Sequence, residues 1–86
     1  MESTTLAAAL REAAAILAGA GVPTPGVDAE LLAAHLLGES RGRVKALAFT
    51  DAPVPAGYAE LVAAAEQEAA DKAAAAAVDT LIEAIG

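Results

Sequence analysis

The chain contains no cysteine, no tryptophan and no asparagine, and its aromatic residues are one tyrosine and one phenylalanine. Without cysteine it can form no disulfide framework, no thiolate nucleophile and no cysteine-based zinc site. Basic residues are also few, since 5 lysines and arginines stand against 12 acidic residues and the formal net charge is −7. Nucleic acids and anionic membrane surfaces are bound through clustered positive charge, so the sequence predicts neither as a partner.

The sequence also lacks an uninterrupted apolar run of the roughly 20 residues that a membrane-spanning helix needs. The first residues, Met-Glu-Ser-Thr-Thr, carry no basic segment, so no secretory signal is predicted and a cytoplasmic location is the expectation. A chain of 86 residues suffices for one small domain, and we expect residues 1–86 to form a single helical domain. No segment shows the alternating pattern that indicates a strand.

Alanine, the strongest helix former, makes up nearly a third of the chain, and the larger apolar side chains are mostly Leu, Val and Ile. A first helix is predicted from Thr4 or Thr5, either of which can act as its N-cap, to about Ala20. The apolar stripe of this helix consists of Leu6, Leu10, Ala13 and Leu17. The overall pattern predicts an all-α fold, a compact bundle of four or five helices with short loops.

The clearest boundary signals lie between Gly21 and Gly38. Gly21 and the proline after Val22 end the first helix, whereas Thr24 is placed to cap a second helix that begins at Pro25. Gly38 ends this helix after Leu37. Since the helix is apolar around most of its circumference, we place it at the centre of the bundle.

The second half of the chain is predicted to contain a short helix, a connector and a longer helical region. Ser40 caps the short helix, which ends near Ala48, and Phe49 and Val54 are expected to hold the connector on the core. The last helical region is predicted to begin at Pro55. The segment from Ala63 to Ala77 contains neither a helix breaker nor a large apolar residue.

This last region allows either one long helix to about Ala84 or a break near Asp71. A straight helix would be about 45 Å long and would extend beyond the others, so two helices or one bent helix are favoured. In the alternative, the extension pairs with a second chain through Val78, Leu81, Ile82 and Ile85. A monomer and a weak homodimer are both compatible with the sequence.

Some residues have the types found in catalytic or metal sites, but each has a stronger structural explanation. His35 is the only histidine, and a metal needs three or four converging ligands. Ser40, His35 and Asp28 contain the residue types of a catalytic triad, yet the serine hydroxyl is needed at a helix cap. Gly19-Ala20-Gly21 resembles the start of a dinucleotide loop but follows a helix and not a strand.

Two further groups of side chains are interpreted in the same way. Tyr58 is expected to be a core aromatic with its hydroxyl at the rim. The acidic residues of the last helical region are expected to form a solvated face, because one exposed helix offers no cage for a cation. These residues are Glu60, Glu66, Glu68 and Asp71. No catalytic, metal-binding or cofactor-binding residue is therefore predicted.

Three of the five basic residues, Arg41, Arg43 and Lys45, lie within five positions of one another. On an acidic chain this local positive charge is a candidate surface for an acidic partner. A solvated helix face is the alternative interpretation. We predict these three side chains as candidate partner-binding residues.

An ordered pattern of structural residues extends along the centre of the chain. It consists of Ala20-Gly21-Val22, Thr24-Pro25, Asp28-Ala29-Glu30-Leu31-Leu32, His35, Leu37-Gly38 and Ser40-Arg41. With this pattern the chain resembles the N-terminal helical domain of the bacterial peptide chain release factor glutamine methyltransferases. The resemblance covers about residues 5–65, because the first helix and the segment after the proline-containing loop also fit in order.

The resemblance implies a helical bundle that precedes a Rossmann-like catalytic domain binding S-adenosylmethionine. It also implies that the bundle helps dock a class I release factor, and that a glutamine of that factor is then methylated in the separate catalytic domain. The family's catalytic Asn-Pro-Pro-Tyr motif is absent, since the chain has no asparagine. We therefore expect no enzymatic activity and no cofactor in these 86 residues.

The alanine-rich, acidic segment from Ala65 to Gly86 departs from the family pattern as the resemblance implies it. This departure leaves two hypotheses. The first is a protein-interaction domain that recognises a release factor. The second is an engineered or computer-generated helical scaffold without an evolved partner.

Overall fold

The computed structural model describes the backbone of residues 5–85 and the side chains of residues 5–71. The described residues form four helices, which are α1 (Leu6–Gly19), α2 (Pro25–Leu37), α3 (Arg41–Ala48) and α4 (Tyr58–Ile85). The only extended pairing in the described part is an isolated antiparallel bridge between Thr5 and Pro53. The predicted all-α fold is confirmed, whereas the extent of the domain, residues 1–86, stays a prediction.

Helix α2 contacts all three other helices and packs most extensively against α1, so its predicted central position is confirmed. Helix α4 contacts α1 and α2, and α3 packs mainly on α2. Among the described residues, no helix combines the length and the apolar character needed to cross a bilayer.

The predicted caps are confirmed at two of three helix starts. The Thr5 hydroxyl accepts a hydrogen bond from the Ala8 N–H at 3.3 Å, and the Ser40 hydroxyl accepts one from the Arg43 N–H at 3.1 Å. Thr24 precedes Pro25 as predicted, but its side chain makes no bond to the backbone. Its hydroxyl instead donates to a carboxylate oxygen of Asp28 at 3.3 Å.

Two glycines end α1 and α2 in the left-handed region, with φ of +86° at Gly21 and +65° at Gly38. After α2, the Gly38 N–H donates to carbonyls of the last turn and the Glu39 N–H donates to the Ala34 carbonyl at 3.0 Å. Left-handed backbone is unfavourable for residues with a Cβ atom, and most of all for β-branched ones. Both glycines therefore stop their helices as the sequence predicts.

Replacing Gly38 with valine is expected to lower the free energy of unfolding by about 1–2 kcal/mol, because a β-branched residue resists this conformation. A Cβ atom at Gly38 would meet nothing within 4 Å, so the loss comes from the backbone alone. Chemical denaturation measures it. Gly26→Ala is the control, since Gly26 has ordinary helical φ and equally open surroundings. Equal effects of the two substitutions would contradict the assigned role of Gly38.

The core is built from small side chains on α2 and larger ones on the other helices. The buried residues are Leu6, Ala9, Ala13, Leu17, Ala29, Ala33, Ala34, Val44, Tyr58 and Val62. Helix α2 contributes only alanines to this buried set, and two of its four leucines lie towards the surface: Leu31 is 50% exposed and Leu36 is 38% exposed. Leu32 is half-buried against the core.

The connector after α3 contacts the core through Val54 and Ala52, whereas Phe49 is 92% exposed. The prediction for Phe49 is wrong and that for Val54 is confirmed. The turn after α3 is closed by its own polar groups, since the Thr50 hydroxyl donates to the Leu47 carbonyl at 2.7 Å. The connector is also tied to α1 by a hydrogen bond from the Leu6 N–H to the Ala52 carbonyl at 2.9 Å. These bonds position the turn without a contact from the phenyl ring.

Helix α4 begins at Tyr58 and not at Pro55, because Gly57 has φ of +86° and cannot be helical. The helix then continues without interruption for 28 residues, so the division into two helices is wrong, whereas the favoured alternative of one bent helix stays a prediction. Asp71 does not cap a new helix, since its carboxylate accepts a hydrogen bond from the Gln67 side chain at 3.1 Å, one turn earlier. The second-chain contact predicted for Val78 and the residues after it lies outside the described side chains.

Candidate functional site

The larger of two surface depressions lies between the α1–α2 turn, α2 and α4, and it is named the α2–α4 groove here. Its volume is about 550 Å³. Its lining consists of Leu17, Ala20, Gly21, Val22, Pro23, Asp28, Leu31, Leu32, Ala65, Glu68 and Ala69. Apolar side chains dominate this lining, and among the described residues Asp28 and Glu68 are its ionisable members. Half-exposed Leu31 places apolar surface at this groove.

The smaller depression, of about 420 Å³, lies between α1 and the beginning of α4. Tyr58, Val62 and Ile16 contribute apolar surface, and exposed Glu12 and Glu60 contribute carboxylates. Among side chains 5–71, no lysine, arginine or histidine lines either groove. Both are therefore apolar depressions with an acidic border.

Tyr58 connects α4 to α2 from inside the protein. The residue is only 3% exposed, and its hydroxyl donates a hydrogen bond to the Ala29 carbonyl at 2.7 Å. Burial, together with the smaller effect of the negative charge of Glu30, raises the pKa of Tyr58 from 10.0 to about 12. The expected core position of the ring is confirmed, whereas the expected hydroxyl at the rim is wrong, because the hydroxyl lies in a buried hydrogen bond.

Stability is expected to fall as the pH rises from about 10 to about 12, because the folded protein holds the Tyr58 proton more tightly than the unfolded chain does. A raised pKa of this kind gives stability that is fully present below pH 10 and is lost above it. Tyr58 is the only tyrosine, so the ultraviolet absorbance of tyrosinate reports this group alone. A tyrosinate midpoint near pH 10 in the folded protein would contradict the buried hydrogen bond. Tyr58→Phe is the control, because its stability should not show the fall between about pH 10 and 12 that comes from ionisation of the tyrosine.

The basic residues of α3 are partly balanced by carboxylates of the same molecule. The Arg41 guanidinium lies 2.9 Å from a Glu30 carboxylate oxygen, and the Arg43 guanidinium lies 3.7 Å from one of Glu39. Lys45 is exposed. The positive charge predicted for this surface is thus present, but two of its three members already have acidic neighbours.

The residues that resemble a catalytic triad are used elsewhere. Asp28 accepts the hydrogen bond from Thr24, Ser40 accepts the one from the Arg43 N–H, and His35 is exposed. The two oxygens therefore serve the starts of α2 and α3. Within the part of the chain that the structure describes, no three His, Cys, Asp or Glu residues form a group that could hold a metal ion.

Two features of this surface are not predicted by the sequence. The ion pair between Glu30 and Arg41 joins residues 11 positions apart, and no local pattern links them. The α2–α4 groove is formed by three segments that are separate along the chain. The one available signal is that α2 carries more leucines than a single face can bury.

The comparisons with known proteins agree on one family. A family model described as the PrmC N-terminal domain matches residues 8–84. The release factor glutamine methyltransferase of Mycolicibacterium smegmatis is 55% identical over 64 residues, which is 71% of this chain and 22% of that protein. The release factor glutamine methyltransferase of Corynebacterium glutamicum is 53% identical over 58 residues, which is 67% of this chain and 20% of that protein. No solved structure matches the chain.

The chain thus spans about a fifth of the length of these curated relatives. The family match continues to residue 84, so it includes the alanine-rich segment that was expected to depart from the family. The two curated relatives align over only 64 and 58 residues, so the departure in residue types stays a prediction, and the comparisons give no support to an engineered scaffold. By the extent of this match, the chain belongs to the PrmC N-terminal domain family.

Proposed function

We propose that this chain is the substrate-docking part of a release factor glutamine methyltransferase. In this role it binds a class I peptide chain release factor and performs no methyl transfer itself. The family match over residues 8–84 is the observation that carries the proposal, since it aligns the chain with a named N-terminal domain. A cytoplasmic location is part of the same proposal.

The chemistry of the described polar residues supports a binding role. The hydroxyl of Ser40 and the carboxylate of Asp28 are engaged in helix starts, and the Tyr58 hydroxyl is buried against the Ala29 carbonyl. A nucleophile needs an adjacent base and an open approach. These groups instead serve the starts of α2 and α3 and the contact of α4 with α2, and the remaining surface is available for contact.

Arg41, Arg43 and Lys45 are proposed to contact the release factor. Lys45 is the most informative of them, because Arg41 and Arg43 already lie near carboxylates of their own molecule. Long-range attraction between such a surface and an acidic patch mainly raises the association rate and weakens with salt.

Calorimetric titration with a class I release factor tests the docking proposal. We expect binding with a dissociation constant of about 1–10 µM, as is typical of a modest interface between two folded proteins. Titration with S-adenosylmethionine is expected to give no heat of binding. Absence of release factor binding at tens of micromolar would contradict the proposal.

Replacing Lys45 with glutamate is expected to weaken binding about threefold at low ionic strength, with a smaller effect at high salt. Arg11→Glu is the control, because Arg11 is also an exposed cation and lies on a different helix. Association rates from stopped-flow mixing separate the two variants. Equal rates for both would remove α3 from the proposed surface.

A further inference from the structure

The α2–α4 groove exposes apolar area that the fold does not use. Leu31 is one of three large apolar side chains that remain substantially exposed in the described part, and it is the only one of these three that lines a depression. Half-buried Leu32 lies beside it, and Ala65 and Ala69 form the opposite wall on α4. Small residues on that wall leave room for a side chain from another molecule.

The described ionisable side chains that line this groove are negative, and they are Asp28 on α2 and Glu68 on α4. Exposed Glu66 and Asp71 add negative charge to the same segment of α4. An occupant that places lysine or arginine beside an apolar side chain would therefore be favoured over a neutral or acidic one. A second copy of the chain would bring its own net charge of −7, which opposes self-association.

We infer that the α2–α4 groove binds a segment of the class I release factor in which a large apolar side chain is flanked by basic residues. This inference rests on the proposed function and adds the contact surface and the chemistry of the bound segment. The apolar side chain packs between Leu31, Leu32 and Ala65, and the flanking cations lie near Asp28 and Glu68. This contact is separate from the one proposed for the basic residues of α3.

A matched pair of leucine substitutions on α2 tests the apolar part. Leu31→Ser is expected to weaken release factor binding about tenfold, because it removes apolar contact area at the centre of the groove. Leu36→Ser is the control, since Leu36 is a partly exposed leucine of the same helix that does not line the groove. Its affinity should stay within about twofold of the parent. Equal affinities for both variants would overturn the inference.

A matched pair of charge reversals on α4 tests the electrostatic part. Glu68→Lys is expected to weaken binding about fivefold at low salt, with the difference shrinking as salt rises. Glu66→Lys makes the same change at an exposed position outside the groove lining, so its effect should be smaller. Thermal unfolding of all four variants checks that each remains folded. A larger effect of Glu66→Lys would contradict the assigned border of the groove.

A short probe peptide separates failure of this inference from failure of the proposed function. If the release factor binds but Leu31→Ser leaves its affinity unchanged, the docking function stands and the groove assignment falls. If the release factor does not bind, the proposed function falls, and a peptide with leucines flanked by lysines is titrated into isotope-labelled protein. Amide shifts at Leu31, Ala65 and Ala69 would support the groove, provided that a glutamate-flanked peptide gives none. No shifts, or a dimer that depends on Leu31 in sedimentation, would overturn it.

Discussion

Replacing Tyr58 with alanine is expected to lower the free energy of unfolding by about 3–5 kcal/mol, which is the usual loss for removing a buried aromatic ring. Tyr58 is 3% exposed, belongs to the one buried cluster and donates its hydroxyl hydrogen to the Ala29 carbonyl. A domain of this size has a total stability of about 5–10 kcal/mol. The substitution should therefore remove a large fraction of it, as measured by urea denaturation.

Tyr58→Phe distinguishes the ring from the hydroxyl. The phenylalanine keeps the apolar contacts and loses only the bond to the Ala29 carbonyl, so its expected cost is about 1 kcal/mol. If Tyr58→Ala were no more destabilising than Tyr58→Phe, the ring would not be part of the core, and the packing of α4 on α2 would need revision.

Replacing Ala33 with leucine is expected to lower the free energy of unfolding by about 3 kcal/mol, near the upper end of the usual range for overfilled cores. Ala33 has no exposed surface, and its helix contacts all three others. A larger side chain there must push α2 away from its neighbours, because a close-packed interior has no spare volume. Thermal or chemical unfolding of the variant measures this loss.

Leu36→Ala is the matched control on the same helix. Leu36 is 38% exposed, so the expected loss is below about 1 kcal/mol, even though this change removes apolar atoms from an apolar helix. The opposite result would be a small loss of stability for Ala33→Leu and a large loss for Leu36→Ala. It would mean that Leu36, and not Ala33, faces the core.

The starts and ends of the first three helices could be predicted because they depend on neighbouring residues. The hydroxyls of Thr5 and Ser40 reach backbone N–H groups three residues ahead, and the left-handed backbone at Gly38 needs no distant partner. Caps of this kind can be predicted from the sequence, because they depend only on residues within one helical turn. The family resemblance could be recognised from the sequence for the same reason, because much of its pattern consists of these boundary residues.

The faces of α2 could not be predicted, because a helix that is apolar all round does not say which side is buried. Alanines at the interface allow close approach of α1 and α2, and this tertiary choice leaves Leu31 outside. Phe49 was misplaced for a related reason, since hydrophobicity alone does not show that the turn after α3 closes through its own hydrogen bonds. The length of α4 followed local helix propensity and not the dimensions of the bundle.

The candidate site depended still more on three-dimensional arrangement. The α2–α4 groove is formed jointly by the α1–α2 turn, α2 and α4. Because these segments are separated along the chain, no local sequence pattern predicts the groove. The basic residues of α3 were visible in the sequence, whereas the Glu30 carboxylate that balances Arg41 was not.

Thiol labelling tests the central claim most directly, namely that α2 turns its alanines inward and Leu31 outward. The chain has no cysteine, so single cysteines at Ala33 and Leu31 report on their positions without interference. We expect Leu31→Cys to react at nearly the rate of an unfolded thiol, and Ala33→Cys to react at least about a hundredfold more slowly, since it must wait for the protein to open. Similar rates at both positions, or faster labelling at Ala33, would contradict the account.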